Sequence, residues 1–282
     1  VDTLYRRIDW SWTLGGKATI RLGWKPECGF LNYGWDGYNE AIVLYVLALG
    51  SPTHTIAGDS FEAWTATYQW ENLYGHDFLY AGPLFIHQFS HAWIDFRGIQ
   101  DRFMREKRCD YFENSRRATE VQREYARRNP HGFAGYDEAC WGVTACDGPS
   151  HQQPELADEP RRLFGYAARG VPYGPDDGTL SGWAAMASLP FAPEIVLGTA
   201  RAMLDRYPEN LSDLQYASSF NPSLSRADRR AWVSAGLFGL DQGIVVLMIE
   251  NYRSQLIWRL MRNSHPIRTG LRRAGFRGGW LR

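Results

Sequence analysis

Two acidic residues of this 282-residue chain stand where helices are expected to begin. Glu40 ends the string Trp35-Asp36-Gly37-Tyr38-Asn39-Glu40, behind two aromatic rings and ahead of an apolar run. A carboxyl group held beside rings loses hydration, which raises its pKa toward the range of a general acid. The position equally suits a first-turn acid facing the helix dipole, and the residues alone leave both roles open. Asp241, in Leu240-Asp241-Gln242-Gly243, reads as an N-cap. Together the pair acquires a further meaning. Glycoside cleavage needs one carboxyl to protonate the leaving oxygen and a second to activate water or attack directly. Glu138, in the loop Gly135-Tyr136-Asp137-Glu138-Ala139-Cys140-Trp141-Gly142, is a third candidate. Asp147, Asp176 and Asp177 sit in turn contexts where such side chains bond their own backbone.

Other chemistries find little support. His87 and His91 have the i, i+4 spacing of a zinc helix, but Gln88 stands where a zinc protease places its glutamate and no third ligand is evident. The expectation is no metal and no cofactor, with both histidines hydrogen-bonded in a cavity wall. No G-x-S-x-G elbow or glycine-rich phosphate loop occurs. Lysine and arginine together number 31 and so do aspartate and glutamate, which leaves no cationic excess for a nucleic-acid backbone. No apolar run reaches the ~18–20 residues of a membrane helix. Cys28, Cys109, Cys140 and Cys146 lack zinc-type pairing and read as unpaired, mostly buried thiols.

The aromatic content is unusual, with 12 Trp, 15 Tyr and 14 Phe. Several rings stand among glycine, acids, amides and arginine, as in a cleft that stacks sugar faces and hydrogen-bonds hydroxyls. A tryptophan-rich core is the alternative. On the first reading Trp35, Tyr38, Trp93, Tyr136 and Trp141 stack sugars, while Asp95, Arg97, Asn114, Arg117, Asp147, His87 and His91 contact hydroxyls.

Helical periodicity dominates the elements that must position these groups. Helices are expected over Glu40–Leu49, Pro83–Trp93, Tyr111–Arg128, Pro193–Arg206, Arg226–Ala235, Asp241–Arg262 and Pro266–Arg273, with helical character also near Leu4–Trp10. Long loops rich in glycine, proline and aspartate span 15–39, 130–182 and 207–225, and their aromatic residues argue for order. No sustained alternation of period two supports a sheet, so the chain reads as one all-α domain.

Several strings taken in order resemble one family. They include Gly37-Tyr38-Asn39-Glu40, Leu49-Gly50-Ser51-Pro52-Thr53-His54, Gly82-Pro83-Leu84-Phe85-Ile86-His87-Gln88, Trp93-Ile94-Asp95-Phe96-Arg97-Gly98, Asp110-Tyr111-Phe112-Glu113-Asn114-Ser115-Arg116 and Ser188-Leu189-Pro190-Phe191-Ala192-Pro193-Glu194, followed by Asp241 through Tyr252. The chain resembles the glucoamylase-like domain family of bacterial endo-β-1,2-glucanases (glycoside hydrolase family 144). It is similar, more distantly, to the transglycosylating domain of cyclic β-1,2-glucan synthases. The resemblance implies an (α/α)6 toroid with its active site in the central cavity. It matches Glu40 to the general acid and Asp241 to the base, and in the transglycosylating relatives it makes Glu138 a candidate second carboxylate. The segment Tyr216–Pro222 lacks the acid that the family pattern leads one to expect before Phe220.

About eight helices are foreseen against twelve in a full toroid, so the ring is expected to be incomplete, with N-terminal helices missing upstream of Val1. The expected function is inverting hydrolysis of β-linked glucan, with β-1,2-glucan or its oligosaccharides as substrate. Transglycosylation through a covalent intermediate and non-catalytic glucan binding are the alternatives. A monomer that binds neither nucleic acid nor membrane is expected, in a periplasmic or secreted setting that the sequence does not specify.

Overall fold

The computed structural model describes residues 1–150, 162–212, 215–224 and 230–282. Among them the helices are α1 (Asp2–Arg7), α2 (Ile42–Gly50), α3 (Gly58–Thr65), α4 (Arg102–Glu106), α5 (Tyr111–Arg128), α6 (Gly182–Ala187), α7 (Pro193–Arg206), α8 (Gly239–Ser254), α9 (Leu256–Arg262) and α10 (His265–Arg273). Strands occur only as five antiparallel two-stranded ladders among the described residues, so helix packing carries the fold.

The longest helix, α5, has the bounds its sequence predicts because both ends are capped. Asp110 accepts the Glu113 N–H at 2.8 Å, and Asn129 closes the other end in the left-handed conformation at φ 44°. Its inner face carries Tyr111, Asn114, Ser115, Ala118, Val121, Gln122 and Tyr125 at helical spacing, while arginines and glutamates pair along the outer face. The expected Pro193–Arg206 helix is α7, opened by Pro193 in its first turn.

Elsewhere tertiary demands override the periodic pattern. Instead of one helix over Pro83–Trp93 there are two 3₁₀ stretches, Leu84–His87 and Phe89–Ala92, separated by Gln88 at φ −121°. The Leu84 N–H goes to the Val143 carbonyl and the Phe85 N–H to Thr144 Oγ1, so a neighbouring segment takes over the first turn. The predicted helix over Asp241–Arg262 breaks at Gln255, left-handed at φ 57°. Asn251 Oδ1 then accepts the Trp258 N–H and Ser254 Oγ the Leu256 N–H, satisfying two amides freed by the break. No helix occupies the described part of the expected Arg226–Ala235 span. Trp232–Val233 instead pairs antiparallel with Phe220–Asn221, and residues 226–229 lie outside the described ones.

Two apolar cores result. One gathers α2, α3 and α10, with Tyr45 stacked on Trp64; the other joins α5 to α6, α7 and α8. Helices α2 and α10 cross at contact distance through two glycines. A Cβ on Gly270 would lie 1.9 Å from the Val46 carbonyl oxygen, and one on Gly50 2.1 Å from that of Pro266. In an open helix Gly→Ala stabilises by up to about 1 kcal/mol. Here the clash dominates, and Gly270→Ala is expected to lower stability by at least about 1–3 kcal/mol. Urea unfolding checks this; a raised midpoint would contradict the close crossing.

Candidate active site

Glu40 lies in the turn just before α2, and side chains hold that turn. Gly37 adopts φ 75° and donates its N–H to the Trp64 carbonyl at 3.0 Å. Asn39 bonds the Gly37 carbonyl through its amide nitrogen and accepts the Ala41 N–H at 2.9 Å, which starts the helix. Ser90 Oγ donates to the carbonyl of Glu40 itself at 2.9 Å. The Glu40 carboxyl group is half-buried, and lost hydration raises its pKa; its own backbone N–H opposes this weakly.

Asp241 sits in the first turn of α8, and its side chain makes no cap bond. Gln242 fixes that helix start by bonding both the N–H and the carbonyl of Tyr216, at 3.1 and 2.7 Å. The Asp241 residue is 7 % exposed and its Oδ2 has no hydrogen-bond partner. Burial pushes its pKa up to about 6; a hydrogen bond from Ser218 opposes the rise and the nearby Asp147 charge adds to it. A helix N-terminus favours a carboxylate by about 0.3–1 kcal/mol, under one pKa unit, so desolvation wins here.

Glu40, Asp147 and Asp241 line one cavity of about 520 Å³. Phe85, Phe89 and Trp183 form an aromatic wall, with Phe89 edge-on to Phe85 at 5.4 Å and to Trp183 at 6.5 Å. Tyr166 and Phe238, both exposed, stand at its mouth. Three acids from distant parts of the chain thus meet in an aromatic cleft. The sequence singled out those acids but none of these rings.

The remaining candidates lie elsewhere. Glu138 is 62 % exposed at its side chain and faces Arg123, so it is not the second carboxylate of this cavity. Trp141 is fully buried in the core and cannot stack on a sugar. The Tyr136 hydroxyl is used up on Asp176 at 2.8 Å. Asn114 is buried and bonds both backbone groups of Leu79. Asp95 is buried against Arg97 and Arg262, and the Arg97 guanidinium also lies 4.4 Å from the centre of the Trp258 ring. Arg117 pairs with Glu113 and the Asp77 carbonyl. Trp35 packs half-buried on the α2 core, and Trp93 is exposed outside the cavity. Tyr38, on a shallower cavity of about 380 Å³, stacks on Tyr111.

His87 and His91 are buried and do not line the cavity that holds Glu40 and Asp241. His87 Nε2 meets the Ala81 carbonyl at 3.2 Å and His91 Nε2 meets Ser115 Oγ at 3.0 Å. Burial lowers their pKa values to about 4 and about 3, so both rings are neutral. Among the described residues no group of three or more His, Cys, Asp or Glu could hold a metal ion. All four cysteines are free, with only Cys28 exposed.

The raised pKa of Asp241 has a consequence for stability. Its folded value of about 6 exceeds the ordinary 3.8, so between those values the native state holds a proton that the unfolded chain has released. Stability therefore falls as pH rises through that window, and the full cost is present at pH 7. Asp241→Asn removes it and is expected to stabilise the protein by about 1–3 kcal/mol at pH 7, with the gain shrinking toward pH 4. Thermal unfolding at the two pH values measures this. An equal loss at both would show that Asp241 carries no such cost.

The chain is similar to several known proteins. The glycoamylase family model, described as Putative glucoamylase, matches residues 32–265. Over 97% of its length the chain is 26% identical to the exo-β-1,2-glucooligosaccharide sophorohydrolase (non-reducing end) of Parabacteroides distasonis, of which it spans 38%. A Bacteroides uniformis structure, also named a putative glucoamylase, superposes on 100% of the chain with a TM-score of 0.85 at 30% identity. The chain covers 65% of that protein. The endo-β-1,2-glucanase of Chitinophaga pinensis, solved with sophorotriose and glucose, has a TM-score of 0.80 at 28% identity, with 99% of this chain and 64% of that one covered. The chain thus spans less than two thirds of the length of each of these relatives. With the family model matching most of its residues, the chain belongs to the glycoamylase family.

Proposed function

We propose that this chain carries the catalytic cavity of a glycoside hydrolase acting on β-1,2-glucan or its oligosaccharides. The observation that carries the reading is the pairing of half-buried Glu40 and buried Asp241, two carboxyl groups with raised pKa on one aromatic-lined cavity. The relatives named for β-1,2-glucan hydrolysis supply the linkage. The helical frame is read as part of an (α/α)6 toroid around this cavity.

In the proposed reaction Glu40 enters protonated and gives its proton to the glycosidic oxygen as the bond to the anomeric carbon breaks. Asp241, ionised above about pH 6, takes a proton from a water that attacks the opposite face of that carbon. The hydroxyl joins the anomeric carbon with inverted configuration, and the net change is addition of one water across the bond. Phe85, Phe89 and Trp183 supply flat apolar surface to sugar faces, and Ser218 orients the base.

General acid catalysis is typically worth ~10²–10⁴-fold, so Glu40→Gln is expected to lose activity on that scale while still binding glucan. A reducing-sugar assay on linear β-1,2-glucan, paired with calorimetric binding, checks both halves. As a mere helix-start residue Glu40 would cost only about 1 kcal/mol of stability on substitution and leave turnover intact, which would defeat the assignment.

The pH profile provides a separate test. Protonation of Asp241 removes the base, so kcat/KM should fall as pH drops below about 6. An acid limb governed by an unshifted aspartate, with half-maximal rate near pH 4, would remove Asp241 from the role.

A further inference from the structure

The cavity is one-sided in charge. Its described lining includes Glu40, Asp147 and Asp241, and no lysine, arginine or histidine stands among the described lining residues. Asp241 lines this space at 7 % exposure, and its buried Oδ2 has no hydrogen-bond partner among the described residues. An unmatched buried acceptor favours a ligand that can donate a hydrogen bond. A sugar hydroxyl or a water does so, whereas another carboxylate offers only acceptors. Apolar walls remove solvent that would screen charges across the cavity, so like charges inside it repel strongly.

We propose that this cavity selects uncharged glucans and rejects chains carrying acidic substituents, with Asp147 as a residue that sets the selection. The inference rests on the glucan-hydrolase reading and narrows its substrate class. Asp147 is the suited residue because Glu40 and Asp241 are committed to proton transfer. Its backbone is anchored by Ser219 Oγ, which donates to the Asp147 carbonyl, and its carboxylate lies beside Gly236. A Cβ built on Gly236 would lie 3.5 Å from Asp147 Oδ2, so the carboxylate is held against the chain that leads into α8. A ligand carboxylate near Asp241 thus meets a second acidic side chain on the same wall. Selection by repulsion needs no contact specific to the rejected ligand.

Because a 1,2-linked glucan leaves each C6 hydroxyl free, a matched pair of probes can be made. One is a β-1,2-glucan oligosaccharide oxidised at C6 to the glucuronate, and the other is the corresponding uronamide. The two have nearly the same shape and differ in charge. The wild-type protein is expected to show kcat/KM at least ~10-fold higher on the uronamide, and Asp147→Asn should narrow that ratio several-fold. Calorimetry on Glu40→Gln measures the same preference as binding, without turnover. Equal handling of the two probes by the wild type overturns the proposal. An undiminished ratio in Asp147→Asn overturns the assignment to Asp147. Failure of the wild type to cleave unmodified β-1,2-glucan sinks the hydrolase reading instead, while the calorimetric ratio still decides the charge selection.

Discussion

The structure depends on satisfying buried backbone that is neither helix nor sheet. The cavity wall is built from turns, 3₁₀ segments and two-residue ladders, and such backbone leaves amides and carbonyls without regular partners. Side-chain amides supply them. Gln122, on the inner face of α5, accepts the Val143 N–H and donates to the Val143 carbonyl, both at 3.0 Å, extending the chain as a strand neighbour would. Asn114 does the same for Leu79. Asn251 of α8 donates to the Ala92 carbonyl at 2.9 Å, and Asn221 to that of Asp177 at 3.0 Å. Losing such a partner exposes a buried polar group to the full desolvation cost, about 1–3 kcal/mol each. The helices are therefore more than a container: their inward polar residues define where the irregular walls can run.

Against this frame the two central carboxyl groups are energetically expensive. Asp241 sits at a helix N-terminus, which favours its anion, and receives a hydrogen bond from Ser218, yet its pKa still rises to about 6. Burial exceeds both favourable terms, and the unpartnered Oδ2 shows why. Elsewhere the same fold removes this cost. Asp177 is fully buried too, but Arg169 grips both its oxygens at 2.8 Å, and its pKa is lowered. The contrast between a satisfied buried aspartate and an unsatisfied one separates scaffold from site more clearly than burial does.

What the sequence revealed follows the same division. Helices α5 and α7 were legible because periodicity, caps and a first-turn proline agree locally. The 84–92 segment was misread because its first amides are claimed by Val143 and Thr144, some sixty residues away. The acids Glu40, Asp147 and Asp241 were legible as candidates, while Glu138 was indistinguishable from them until its exposure was known. Aromatic residues were the weakest signal. Trp141, in the loop that follows Asp137 and Glu138, proves to be core, whereas Phe85, beside Leu84 and Ile86, and Phe89, between Gln88 and Ser90, both line the cavity. A ring's neighbours in sequence say little about which side of a wall it faces, particularly where the backbone is 3₁₀ and the 3.6-residue face is lost.

The misread segment also explains how two carboxyl groups 201 residues apart in sequence are held in register. Ser90 bonds the Glu40 carbonyl, and Gln88, in the same segment, donates to Ala184 and Ser188 at 2.6 and 2.8 Å. Trp183, next to Ala184 on α6, donates its indole N–H to the Ser218 carbonyl at 3.0 Å, and Ser218 lines the same cavity as Asp241. A path of hydrogen bonds and short covalent steps thus runs from the turn carrying Glu40 to the cavity wall beside Asp241. An uninterrupted α-helix over 83–93 would commit its backbone to its own ladder, and the kink at Gln88, which aims that side chain at α6, would be lost. Carboxyl spacing decides between inversion and retention in glycoside cleavage. The irregular geometry of 84–92 is therefore set by distant partners, and no local sequence preference would have produced it.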